Sequence, residues 1–129
     1  MSSELFYLAL VTTFTGVMWI PYILNLISVR GLADAVGYPE DPKPLSPWAQ
    51  RMKAAHANAV ENLVVFAALV LTAHALGATG GVTATACAVY FWARVVHFIV
   101  YTLRIPWLRT LAFFVGFVCQ IAIAWQILA

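Results

Sequence analysis

Two charged residues lie inside apolar segments, where charge must be explained. Glu61 falls within the apolar run 55–76, and Arg94 falls within the run 82–103. A charge near the centre of a bilayer costs several kcal/mol, so such side chains face a partner or a wet cavity. Glu61 follows Lys53 by eight residues and Arg94 precedes Arg104 by ten. At a rise of about 1.5 Å per residue the two lie at similar depth. We therefore predict that Glu61 and Arg94 form an ion pair, directly or through one neighbouring side chain.

Further polar residues share a face with each of these charges. Each α-helical residue is rotated by about 100° from the one before it, so the positions of polar residues around a helix follow from their spacing. Two sets of polar residues, one on each helix, occupy arcs of about 80° and about 100°. The first set is Tyr90, Arg94, His97, Tyr101 and Arg104, and the second is Arg51, Asn58, Glu61 and Asn62. Two facing polar stripes predict a hydrophilic cleft that opens at one end. A hydrogen-bond network that only holds the helices together gives the same pattern, and that alternative stays open.

The composition indicates the environment of these residues. The chain has 129 residues, of which 64% are hydrophobic and 9% charged, whereas a soluble domain carries about 25% charged residues. Such a chain belongs in a membrane. The net charge of +2 is too small to indicate a nucleic-acid partner. Cys87 and Cys119 lie in apolar runs and are predicted to be small core residues, and no metal-ligand spacing is present.

Four apolar stretches reach the length of about 20 residues that a membrane-spanning helix requires. We predict an all-α membrane protein with one domain, residues 1–129, folded as an up-down bundle of four transmembrane helices. The predicted spans are 5–29, 47–76, 82–103 and 107–128, with a long loop at 30–50. Pro21 is expected to bend the first helix. The prolines of the loop predict extended chain, and Ser46 followed by Pro47 is typical of a helix start.

The basic residues predict an orientation. Six of the seven lie in the first loop, at its margins or around the third connection: Arg30, Lys43, Arg51, Lys53, Arg104 and Arg109. The positive-inside rule makes that side cytoplasmic and puts both termini outside. The first apolar segment has no basic start, so we expect it to remain as an anchor and not to be cleaved. A bacterial inner membrane is the favoured location.

Two segments resemble the signature motifs of the MAPEG family, the membrane-associated proteins in eicosanoid and glutathione metabolism. In the second helix the pattern A-H-x-N-x-x-E is reproduced by Ala55, His56, Asn58 and Glu61. A second block resembles the family's third helix and the start of its fourth: Ala93, Arg94, His97, Tyr101, Arg104, Pro106, Arg109 and Thr110. The chain length, the four helices and the long first loop agree with the same family.

This resemblance implies glutathione chemistry, namely transfer of glutathione to lipophilic electrophiles or reduction of lipid peroxides. It also implies a homotrimer that holds glutathione between neighbouring subunits, with membrane lipids around it and a lipophilic substrate arriving from the bilayer. Arg109 is implied as the catalytic residue, next to Thr110, because a fixed guanidinium beside sulfur favours the thiolate. The implied cofactor-binding residues are Arg30, Arg51, His56, Asn58, Glu61, Arg94, His97, Tyr101 and Arg104.

Departures from the family pattern motivate a second hypothesis. Members of the family that bind glutathione well carry an Arg two residues before the His, where this chain has Ala54, and several carry one directly after it, where this chain has Ala57; Phe113 stands where a Tyr is usual. These residues favour a non-catalytic MAPEG-fold protein that binds a lipid or a partner subunit. A small four-helix multidrug exporter is a third hypothesis. It is disfavoured because such proteins need a carboxylate within the first helix, and 5–29 has none.

Overall fold

The computed structural model describes residues 1–129 and contains helices and connecting segments only. Four helical segments are long and apolar enough to cross a membrane: Ser3–Arg30, Pro47–Leu76, Gly81–Thr102 and Pro106–Leu128. Even the shortest, at 22 residues, is about 33 Å long and matches the hydrocarbon core of a bilayer. The prediction of an all-α, four-span membrane protein is confirmed.

The first span is made of two helices, α1 (Ser3–Val17) and α2 (Trp19–Arg30), which meet at Met18. Pro21 has no N–H, so the carbonyl four residues earlier, that of Val17, loses its helical partner. Just before this point the Met18 N–H bonds to the Thr15 carbonyl, a tighter turn than an α-helix. The bend predicted from Pro21 thus takes the form of a break one turn upstream.

The connection after α2 differs from the extended loop that its prolines predicted. Leu32–Val36 form a short helix, α3, and the segment without helix runs from residue 37 to residue 46. Helix α4 (Pro47–Leu76) follows, with Ser46 at its N-cap position. The Ser46 hydroxyl does not cap α4: it accepts a hydrogen bond from Asn25 Nδ2 (2.8 Å), and the Ser46 N–H donates to Asn25 Oδ1 (2.9 Å). The start of α4 is therefore fixed against α2.

Helices α5 (Gly81–Thr102) and α6 (Pro106–Leu128) complete the bundle, and α5 occupies its centre. Helix α5 packs against α1, α4 and α6, whereas α2 packs against α3 and α4. One end of the bundle carries Arg51, Arg104 and Arg109 and is called the basic end. The opposite end, called the terminal end, carries the chain termini and the turn at Gly77–Gly80.

Interior and exterior are both apolar, as expected for helices surrounded by lipid. The core cluster contains Phe66, Val70, Tyr90, Phe91 and Ile123, and Phe66 stacks on Tyr90 with ring centroids 3.8 Å apart. Large apolar side chains such as Val64, Trp92 and Phe114 remain exposed on the outside. At the terminal end, the Thr83 hydroxyl donates to the carboxylate of buried Glu4 (2.8 Å), which connects α1 to α5.

Candidate functional site

A polar pocket lies at the basic end, where α4, α5 and α6 meet. Its volume is about 190 Å³. The residues that line it are Arg51, Tyr101, Arg104, Ile105, Pro106 and Arg109. Four of the residues singled out in the sequence are thus brought together, although Arg51 lies about fifty residues from the others in the chain. None of the lining residues is acidic.

Contacts within the pocket hold two of its guanidinium groups. The guanidinium carbon of Arg109 lies 4.7 Å from the centroid of the Tyr101 ring, a distance at which a cation is attracted to an aromatic face. Arg51 Nε donates to the carbonyl of Thr102 (2.9 Å), one of the C-terminal carbonyls of α5 that lack a helical partner. With three positive charges and no carboxylate, this pocket suits an anionic ligand.

Arg104 enters the pocket from a backbone conformation that side chains rarely adopt. Its φ is 64°, in the left-handed region, and it is the one residue other than glycine with positive φ. The Ile105 N–H bonds to the Val100 carbonyl and the Arg104 N–H to the Tyr101 carbonyl. This is the Schellman pattern of helix termination, in which glycine usually takes the left-handed position. A non-glycine residue here holds a strained conformation, and strain of this kind is common at functional sites.

A second polar group lies deeper, between α4 and α5. Arg94 and His97 are each only 2% exposed. Arg94 Nη2 donates to Asn58 Oδ1 (2.8 Å) and lies 3.4 Å from His97 Nδ1. The His97 ring meets the Tyr101 ring edge to face at 5.5 Å. The stripe predicted on α5 is therefore continuous, and His97 links the buried group to the pocket.

The predicted Glu61–Arg94 ion pair is wrong within the chain. Arg94 bonds to Asn58 and His97, and Glu61 is exposed on the outer surface of α4. Glu61 and Asn58 are one turn apart on α4, yet only Asn58 contacts Arg94. The Nε atom of Arg94 and the hydroxyl of Tyr90 are buried without a hydrogen-bond partner. The buried positive charge therefore has amide and imidazole neighbours but no carboxylate.

His56 is held by a residue that the sequence did not single out. The Tyr22 hydroxyl and His56 Nδ1 are 2.7 Å apart, which joins α2 to α4. Tyr22 is itself buried. It lies in an apolar segment in which Asn25, three residues later, is the nearest polar residue at helical spacing, and this single pair did not mark it as a site residue. Its position next to Pro21, beside the break in the first span, is the only hint that the sequence offers.

Seven of the eleven predicted site residues do not line this pocket: His56, Asn58, Arg94 and His97, described above, and Arg30, Glu61 and Thr110. Arg30 donates from Nε to the Lys43 carbonyl (2.7 Å) and lines a small cleft with Asp34 and Asp41. Thr110 is exposed, and its hydroxyl lies 3.4 Å from the Pro106 carbonyl. Glu61 faces outward, as do Ala54, Ala57 and Phe113. No three side chains from His, Cys, Asp and Glu come together in a way that could hold a metal ion.

Comparison with known families identifies the chain. The model of the MAPEG family matches residues 8–129. The chain belongs to the MAPEG family. No curated protein matches it significantly. The match covers all four spans, so the resemblance carried by Ala55–Glu61 and Ala93–Thr110 is confirmed. Family membership makes this MAPEG chain an integral, multi-pass membrane protein of the group associated with glutathione and eicosanoid metabolism.

Proposed function

We propose that this MAPEG protein is a glutathione-dependent membrane transferase or peroxidase that acts on lipophilic electrophiles. The observation that carries the proposal is the pocket in which Arg51, Arg104 and Arg109 converge without an acidic residue. Glutathione has two carboxylates, and charge-assisted hydrogen bonds from arginine to a carboxylate each contribute about 1.5–3 kcal/mol. The pocket supplies more than one such donor.

The role proposed for Arg109 is to stabilise the thiolate of glutathione. A thiol reacts as its anion, and a nearby cation favours that form. Arginine keeps its proton at any relevant pH, so it acts as a fixed charge and not as a base. The Tyr101 ring beneath the guanidinium limits where Arg109 can point. Substrates dissolved in the bilayer would reach the sulfur laterally, since α5 and α6 present apolar surfaces to the lipid.

A titration of purified protein with glutathione tests this role. We expect the ultraviolet absorbance of the thiolate to appear on binding in the wild type. In Arg109→Ala we expect that signal to be lost and turnover of a lipophilic electrophile to fall by about 100-fold, the usual cost of removing one preorganised electrostatic group. Lys53→Ala is the matched control, because Lys53 is exposed on α4 outside the pocket. Absence of binding at millimolar glutathione would contradict the proposal.

We also propose that the site is completed by neighbouring copies in a homotrimer. Ligand sites for small molecules usually measure about 300–1,000 Å³, and the pocket within one chain, at about 190 Å³, is smaller. Glu61 is a charged side chain exposed on a membrane-spanning helix, where lipid is a costly neighbour. A second copy is the partner proposed for that face, and Arg30 would then reach the site of the adjacent chain.

Native mass spectrometry in mild detergent checks this assembly. We expect three chains per particle, and we expect Glu61→Leu to keep its helices while losing glutathione affinity. Glu61→Gln retains the shape of the side chain and can still form hydrogen bonds. Its affinity for glutathione should lie between those of the wild type and Glu61→Leu. A monomer that binds glutathione as tightly as the assembly would show that one chain is sufficient.

The second hypothesis, a non-catalytic MAPEG-fold protein that binds a lipid, rests on Ala54, Ala57 and Phe113. All three are exposed on the surface of the single chain and supply no charge to the pocket. It predicts that an anionic amphiphile copurifies and that glutathione does not displace it. For either function the basic end is proposed to face the cytoplasm.

A further inference from the structure

The positive charge of Arg94 lies inside the bundle without a negative charge beside it. The four spans contain two acidic residues: Glu4 accepts a hydrogen bond from Thr83 at the terminal end, and Glu61 is exposed on α4. The guanidinium is 2% exposed and keeps its proton at any relevant pH. An enclosed charge without a counter-charge is strongly destabilising. A negative ion from outside the chain would offset this cost.

Two polar atoms without hydrogen-bond partners lie next to this charge. They are Arg94 Nε and the hydroxyl of Tyr90, which is 1% exposed and one turn before Arg94 on α5. Both side chains meet Gly116 of α6: a Cβ there would lie 3.6 Å from Tyr90 Cε2 and 3.8 Å from Arg94 Cδ. Nε is bonded to Cδ, and the hydroxyl oxygen is two bonds from Cε2. The two unpartnered atoms therefore border the same part of the bundle interior, and the missing side chain of Gly116 keeps it open.

Gln120 adds a third donor, one turn after Gly116 on α6. It is 6% exposed, and its Nε2 donates to the carbonyl of Asn62 (3.2 Å). An amide nitrogen carries two hydrogens, so one N–H of Gln120 remains for another partner. Gln120 lies beside the Tyr90 hydroxyl, but the two form no hydrogen bond. A guanidinium N–H, a hydroxyl and an amide N–H thus border one buried region.

We propose that this region, bordered by Tyr90, Arg94, Gly116 and Gln120, binds a small monovalent anion such as chloride. Arg94 Nε and Gln120 Nε2 have only hydrogens to offer and the phenol can donate, so all three groups suit a negative partner. A water molecule would satisfy the same atoms but would leave the charge of Arg94 uncompensated. A single negative charge balances it.

The anion site is separate from the pocket proposed for glutathione. Asn58 and His97 contact Nη2 of Arg94, which leaves Nε for the anion. None of Tyr90, Arg94 and Gln120 lines the pocket at the basic end. The ion acts as a counter-charge that holds α5 and α6 together in the middle of the membrane, and it does so whether or not glutathione binds.

The test follows thermal unfolding of protein purified throughout in sodium gluconate, as sodium chloride replaces gluconate at constant ionic strength. A ligand that binds only the folded state stabilises it, so we expect the unfolding midpoint to rise by about 5 °C and then to level off. A midpoint that does not depend on chloride would overturn the proposal. A rise that never levels off is a general salt effect and would overturn it as well.

Two variants give opposite results with and without a bound anion. Tyr90→Phe removes a hydroxyl that has no partner in the chain, and Gly116→Ala adds a methyl group at ordinary contact distance. Without an anion, both changes should stabilise the bundle. With an anion, both variants should lose the chloride-dependent rise and unfold below the wild type in chloride. Gly16→Ala is the matched control, since a Cβ there meets nothing, and it should keep the full rise.

Bromide provides the direct location of the ion, because it replaces chloride and scatters X-rays anomalously. Crystals grown in sodium bromide should show one anomalous peak within hydrogen-bond distance of Arg94 Nε and the Tyr90 hydroxyl. A water molecule at this position without anomalous signal would overturn the proposal, as would variants of Tyr90 and Gly116 that unfold above the wild type in chloride. Because no glutathione is present in these experiments, their outcome is independent of the function proposed for the basic end.

Discussion

The buried group around Arg94 and the pocket around Arg109 use the same residue type for different purposes. Arg94 is enclosed in the bundle and bonded to Asn58, whereas Arg109 is half-buried and lies over an aromatic ring. A guanidinium enclosed in the bundle depends on protein groups for its hydrogen bonds, and the Nη2 atom of Arg94 has such partners while its Nε atom has none. A guanidinium at the membrane boundary can keep its hydrogen-bond donors available for a ligand. We therefore propose that depth along α5 and α6 separates arginines that hold the bundle together from arginines available for binding.

The largest expected effect on stability comes from removing the partner of the buried arginine, Arg94. Asn58→Ala removes the amide oxygen that accepts from Arg94, and a hydrogen bond to a charged group contributes about 1.5–3 kcal/mol. We expect the free energy of unfolding to fall by about that amount, as measured by denaturant titration in detergent micelles. Arg109→Ala is the comparison variant, since its side chain is only partly buried and should change stability by less than about 1 kcal/mol. Equal losses in the two variants would remove the distinction.

A smaller effect is expected from the left-handed backbone of Arg104. Arg104→Gly relieves a conformation that costs a non-glycine residue about 1 kcal/mol or more. We therefore expect the midpoint of unfolding to shift to a higher denaturant concentration. Arg104→Ala keeps the strain and serves as the matched control. Both variants should weaken glutathione binding alike, because both lose the guanidinium. A variant with glycine that binds normally would show that the side chain is not used.

The smallest effect concerns Tyr22, whose hydroxyl bonds to His56. Hydrogen bonds between membrane helices average about 0.6 kcal/mol in bacteriorhodopsin, so Tyr22→Phe should cost little stability. If Tyr22 positions His56 for the pocket, the Michaelis constant for glutathione should rise while the thermal transition hardly moves. Tyr22→Phe in the His56→Ala background should then add nothing further. Independent, additive effects would show that the two residues do not act together.

The fold and part of the site could be predicted from the sequence because both depend on period and polarity. Four apolar runs of sufficient length allow few folds, and the polar stripe from Arg94 to Tyr101 follows from helical spacing alone. The partner of Arg94 could not be predicted in this way. Asn58 and Glu61 lie on one polar arc of α4, and a small rotation of that helix decides which of them turns inward.

Other features depend on contacts that leave no pattern in the sequence. The left-handed conformation of Arg104 follows from a very short connection between α5 and α6 and has no marker of its own, since glycine is absent there. The contact between Asn25 and Ser46 joins residues from different elements, and each alone fits a more familiar role. Such features arise from packing, which single-residue preferences do not describe.

The break at Met18 divides the first span into two helices that share α4 as a neighbour and differ in the other one. Helix α1 packs against α4 and α5, and α2 packs against α3 and α4. A tilt of α2 would carry Tyr22 and Asn25 with it, and through them the first turns of α4 and the loop before it. The break at Met18 therefore separates the half of the first span that contacts the start of α4 from the half that packs on α5.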